Sequence, residues 1–83
     1  MLKSNITQAF LAHKDPTKAV QMQAYMKNKF AFYGIQSVAR RAIQKSFHQK
    51  IKKLDKKETI TLVRQLWQLD QREFQYFAVD ILK

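Results

Sequence analysis

The chain has no cysteine, one glycine, one proline and six acidic residues among 83, and each scarcity removes a class of architecture or function. Without cysteine there is neither a disulfide framework nor a thiolate metal site, which fits a reducing compartment. The two histidines, His13 and His48, lie far apart in sequence with no ligand pattern around them, so no metal or other cofactor is expected. No apolar run approaches the ~18 residues that would cross a bilayer, and the N-terminus lacks the apolar core of a secretory signal. A cytoplasmic protein that does not engage membranes is the expectation.

The shortage of acid is the largest imbalance. Sixteen Lys and Arg against six Asp and Glu leave a net charge of +10 and a pI near 10.2, which points first to a polyanionic partner. The competing reading is a domain whose charge is balanced by acidic sequence elsewhere in a larger protein. A membrane-surface role is weaker, because the bulky apolar positions are needed for the protein's own core. A chain of this length buries only about 60–65% of the surface its unfolded form exposes, so it makes one small domain of marginal stability.

With so little Gly and Pro, and with apolar residues spaced by three and four, the pattern predicts an all-α fold of five helices. The first follows Ser4 as cap and turns Ile6, Ala9, Phe10 and His13 inward. Asp15 and Pro16 start a second, which runs to about Lys29 with Ala19, Met22, Met26 and Phe30 on one stripe. An aromatic turn around Gly34 leads to a third, capped by Ser37, with Ala39, Ile43, Phe47, Ile51 and Leu54 buried. Its opposite face carries Arg41, Lys45, His48 and Lys52 as a single stripe, with Arg40 beside it. Asp55 with Glu58, and Asp70 with Glu73, have the spacing of capping boxes and open the last two helices. Ile60, Val63, Leu66 and Trp67 face inward from the fourth, and Phe74, Phe77, Ala78, Ile81 and Leu82 from the fifth.

The short link between these two makes them an antiparallel hairpin with a wide apolar face, the repeating unit of α-solenoids. No Gly, Pro or cap closes the pattern at Ile81-Leu82-Lys83. The expectation is therefore the N-terminal part of a longer helical-repeat protein, or a short chain whose edge another chain covers.

The stretch Ala24 to Arg41 joins aromatic, polar and cationic groups. Phe30, Phe32 and Tyr33 could stack on bases, but Phe30 and Phe32 read better as core anchors around the turn. The carboxylates read as caps or as paired structural groups rather than catalysts.

The succession Asp15-Pro16, AYMKNKFAFYGIQ, Arg40-Arg41 and then LVRQLWQLDQREFQYFAVDIL is similar to the N-terminal part of the AlkD-like DNA glycosylases, over essentially the whole chain in order. The resemblance implies a HEAT-like solenoid whose basic concave face holds duplex DNA, and an activity that releases cationic alkylated purines by cutting the N-glycosidic bond. It implies that Tyr25 and Gln36 border the lesion cleft and that Arg40 and Arg41 are a basic pair near it. The family's catalytic Asp falls beyond the position matching Lys83, so this chain alone is expected to be inactive. Val38-Ala39 stands where many relatives have Pro and Glu, and that departure bears on the entry angle of the third helix. Phosphate contacts are expected from Lys27, Arg40, Arg41, Lys45 and Lys52, supplied without sequence readout. The alternative is a helical-repeat module without catalysis that binds a protein or RNA.

Overall fold

A computed structural model describes residues 2–83. Among them are five helices and no extended strand: α1 Leu2–Ala12, α2 Pro16–Tyr25, α3 Ser37–Lys52, α4 Lys56–Trp67 and α5 Arg72–Leu82. The all-α, five-helix expectation holds. The outline is elongated, 38 × 21 × 21 Å, and the radius of gyration of 12.7 Å exceeds the ~11.8 Å expected of a sphere-like domain this size. Helix α1 packs against both α3 and α4, while α4 and α5 turn back on each other across residues 68–71 and form the closest helix pair. Ile6, Phe10, Ile43, Phe47, Leu62, Leu66, Phe74, Phe77 and Ala78 meet in one core. Phe10 stacks on Phe74 and Phe77 with ring centroids at 4.8 and 5.9 Å, so the first helix is tied to the last through aromatic contact.

Local start signals account for two helices as expected. The Asp15 side chain accepts from the Lys18 N–H with Pro16 at the first helical position. At α4 the box closes both ways, Glu58 N–H to Asp55 at 2.7 Å and Asp55 N–H to Glu58 at 3.1 Å, worth about 1 kcal/mol to the helix.

Elsewhere the structure corrects the pattern. Helix α1 begins at Leu2, so Ser4 lies inside it, and His13 is exposed past its end with Nδ1 2.8 Å from the Ala9 carbonyl. Helix α2 stops at Tyr25 rather than near Lys29, because Lys27 and Asn28 both take positive φ (57° and 59°), a conformation that cannot continue a right-handed helix. The α3 cap is Gln36 with no side-chain bond, and Ser37 is already helical. The buried face of α3 is also rotated: Ala39 is exposed and Arg40 buried, in line with Ile43 and Phe47. On α4 the inward residues are Leu62 and Leu66, whereas Ile60 and Trp67 are 39% and 50% exposed. Leu82, at the last turn of α5, is exposed too.

The second capping box does not form. Gln71 occupies the α5 cap without a side-chain bond, and Asp70 is exposed. Glu73 is instead fully buried and turned away from its own helix. Its carboxylate accepts from three successive backbone N–H groups of the aromatic turn, Tyr33, Gly34 and Ile35, at 3.0–3.1 Å. Those donors have no helix or ladder to serve them, and a buried charge needs such partners. Burial, with the nearby Glu73 carboxylate, raises the Tyr33 phenol above its usual value. The turn is held on its other side by Asp15 N–H to the Tyr33 carbonyl at 2.8 Å, and along its length by Arg72 N–H to the Ala31 carbonyl at 2.8 Å. One buried carboxylate thus fixes the turn that links α2 to α3 against the start of α5.

Candidate nucleic-acid interface

The four stripe residues expected on the open face of α3 come together. Arg41, Lys45 and Lys52 are exposed, with His48 between them, and all four line one groove of about 660 Å³ beside the end of α5. Helical spacing along α3 places them in a row. Ile51, Leu54, Phe77 and Ile81 contribute apolar surface to the same groove, so the cations stand over a wall that cannot neutralise them. Asp80, the one acidic residue lining it, is already engaged by Arg40 at 3.7 Å and Lys83 at 3.9 Å.

Arg40 does not belong to the stripe. It is only 8% exposed, and its guanidinium points inward, where Nε donates to Gln44 at 2.9 Å and Gln44 in turn donates to Asp80 at 2.9 Å. Its cation lies 5.0 Å from the Tyr76 ring centroid. Burial pulls the Arg40 guanidinium below the usual arginine value, opposed by the attraction of Asp80. Arg40 is thus a buried tie between α3 and α5 rather than the exposed neighbour of Arg41 that the basic pair suggests. Lys27 is exposed at the left-handed end of α2 and does not line the basic groove.

Tyr25 and Gln36, which the sequence separates by the whole turn, come together on the wall of one cavity of about 260 Å³ with Met22, Met26, Phe32 and Tyr76. Tyr25 is 87% exposed, so its ring is free on nearly all sides, and Gln36 is exposed as well. The cavity depends on the turn: Phe32 is buried with its N–H donated to Gln23 at 3.3 Å, and Gly34 takes φ +96° directly against α2. Phe30, by contrast, is half-buried beneath Arg72, whose guanidinium sits 4.2 Å over its ring. Among the described residues no cluster of three His, Asp or Glu is placed to hold a metal ion, and no helix is long and apolar enough to cross a membrane.

Residues 6–83 match the sequence model of the DNA alkylation repair enzyme family. The chain belongs to that family. Among solved structures it resembles a predicted DNA alkylation repair enzyme from Enterococcus faecalis, with 34% identity and a TM-score of 0.78. That likeness covers 82% of this chain and 32% of the other, so this family member spans about a third of that relative's length. No curated protein matches it. Within this DNA alkylation repair family member, Tyr76 and Glu73 are the site-forming residues that sequence reasoning passed over. Tyr76 reads as one more aromatic of an amphipathic helix, and the partners of Glu73 lie 38 to 40 positions away, beyond any local pattern.

Proposed function

We propose that this chain is a duplex-DNA-binding segment of a DNA alkylation repair glycosylase. The observation that carries the reading is the row of Arg41, Lys45, His48 and Lys52 in one exposed groove. Cations so arranged neutralise backbone phosphates and release counterions, an affinity that does not depend on base sequence. Lys27 adds a further exposed cation at the end of α2. Tyr25 and Gln36, meeting in the smaller cavity, supply an aromatic face and an amide suited to the border of a lesion cleft for cationic alkylpurines.

Cleavage of an N-glycosidic bond calls for a carboxylate near a sugar that acquires oxocarbenium character. Five of the six carboxylates here have other engagements, and the sixth, Asp70, is exposed in the link between α4 and α5. Asp15, Asp55 and Glu58 cap helices, Glu73 is closed on the turn and Asp80 is paired. The chain then contributes DNA contacts and one wall of the cleft, with catalysis supplied by further helical repeats. Ile60, Trp67, Val79 and Leu82 leave apolar surface exposed on the α4–α5 hairpin, which such repeats, or another chain, would cover. A cytoplasmic location fits the same reading.

The test is a duplex titration. Replacing Arg41, Lys45 and Lys52 together by Ala is expected to weaken duplex binding at low salt by at least about tenfold and to flatten the slope of log K against log salt by about 2.7. The fold should persist, since all three side chains are exposed. Equal binding by the triple variant would contradict the reading, as would release of alkylpurines by the chain alone. The other class, a module for protein or RNA, predicts that RNA or an acidic polypeptide displaces the duplex at fixed salt.

A further inference from the structure

We infer that Tyr76 is a nucleic-acid contact residue whose hydroxyl donates to a phosphodiester oxygen of the strand crossing the Tyr25–Gln36 cavity. The inference rests on the duplex-binding reading and adds to it a contact that is neither cationic nor part of the α3 stripe.

Two cavities meet at this side chain. The 260 Å³ cavity of Tyr25 and a larger one of about 800 Å³, between α2 and the start of α3, share Met22, Gln36 and Tyr76. Tyr76 therefore stands on the saddle that any ligand extending from one to the other must cross. Its ring is held rather than free: the guanidinium carbons of Arg40 and Arg72 lie 5.0 and 5.5 Å from its centroid. Both cations are fixed in turn, Arg40 through Gln44 and Asp80, and Arg72 by Gln75 and by its position over Phe30. None of the hydrogen bonds of this network ends on the Tyr76 hydroxyl.

The charge around the saddle selects the ligand. Arg72 has no carboxylate partner among the described residues, and its Nε is buried without a hydrogen bond. Asp80 answers Arg40, and Glu73, which also acts on Arg40, is closed on the N–H groups of the turn, so Arg72 is left to attract an anionic oxygen. With cations over its ring, Tyr76 offers its O–H rather than an open aromatic face. A phosphodiester between the nucleotide at Tyr25 and its neighbour meets both conditions.

The experiment uses the intact chain labelled with 3-fluorotyrosine, whose three tyrosines give three fluorine resonances assignable by single Tyr→Phe variants. On titration with duplex DNA, Tyr25 and Tyr76 are expected to shift, while Tyr33, packed edge-on against Phe74 at 5.6 Å, stays. A shift at Tyr25 with none at Tyr76 overturns this inference and leaves the DNA reading standing. If neither moves at saturating duplex, the cavity is not on the DNA path and this inference falls, while duplex binding through the α3 row stands. Tyr76→Phe keeps the ring under the guanidinium groups. It is expected to weaken duplex binding about tenfold, as for a hydrogen bond to a charged group, without changing the salt slope, since a neutral donor releases no counterion. Affinity unchanged, or lost in parallel with thermal stability, would make Tyr76 a packing residue only.

Discussion

Gly34→Ala is expected to destabilise the chain by about 3 kcal/mol or more, lowering the thermal midpoint by roughly 12 to 24 °C. Two effects add. At φ +96° an L side chain is strained by about 1–2 kcal/mol before any contact is counted. A Cβ built there would then lie 2.0 Å from the Asp15 carbonyl oxygen and 2.7 Å from the Ala19 nitrogen. Both are backbone atoms of the first turn of α2, bonded to each other at 2.9 Å, so neither can rotate aside. The helix start would have to separate from the turn, breaking the Asp15 N–H bond to Tyr33 as well. Against a total stability of about 4–12 kcal/mol for a domain this size, that is a large fraction. Thermal melts followed by circular dichroism give the answer, with Val38→Ala, on the exposed first turn of α3, as a control expected to change little. A loss below about 1 kcal/mol would mean that the turn does not press on α2 as described.

Glu73→Ala is expected to cost about 3–5 kcal/mol. The residue is 0% exposed, and its removal leaves the N–H groups of Tyr33, Gly34 and Ile35 without an acceptor, two of them in fully buried bonds. Because one oxygen, Oε2, receives all three donors, Glu73→Gln can keep that oxygen in place and should cost markedly less. Amide exchange at residues 33–35 should quicken in the Ala variant ahead of exchange in the α4 core, since the turn loses its anchor first. An Ala variant as stable as the parent would show that the carboxylate is not what holds the turn. A Gln variant as damaging as Ala would show that the charge, rather than the acceptor, decides.

These two residues also mark what could be read from the chain and what could not. Gly34 was legible because it is the one glycine, set in an aromatic turn between two helical patterns. Helix number, the Asp15-Pro16 start and the Asp55 box were legible for the same reason: each is decided within four residues. The basic row on α3 follows from helical geometry alone, and it appears as expected.

What failed were inferences that needed a partner distant in sequence. Glu73 has the spacing of a capping box with Asp70, yet three orphan donors of a distant turn compete for its carboxylate, and they win because they are buried. Arg40 has the sequence look of a surface pair with Arg41, but Asp80 and the Tyr76 ring give its guanidinium an interior site. That exchange rotates the buried face of α3 by one residue and expels Ala39. The early end of α2 turns on two consecutive left-handed residues, Lys27 and Asn28, of which only Asn28 has any preference for that conformation. Tyr25 and Gln36 were placed by family resemblance. Their meeting in one cavity is a property of the turn that Glu73 and Gly34 hold.

The most direct test of the DNA-binding face is the salt dependence of duplex binding by the unaltered chain. With three to four phosphates neutralised by Arg41, Lys45, Lys52 and Lys27, log K should fall against log salt with a slope of about −3, so affinity drops roughly fortyfold to 150-fold between about 50 and 200 mM. A slope near zero, or no duplex binding at the lower salt despite a charge of +10, would contradict the account.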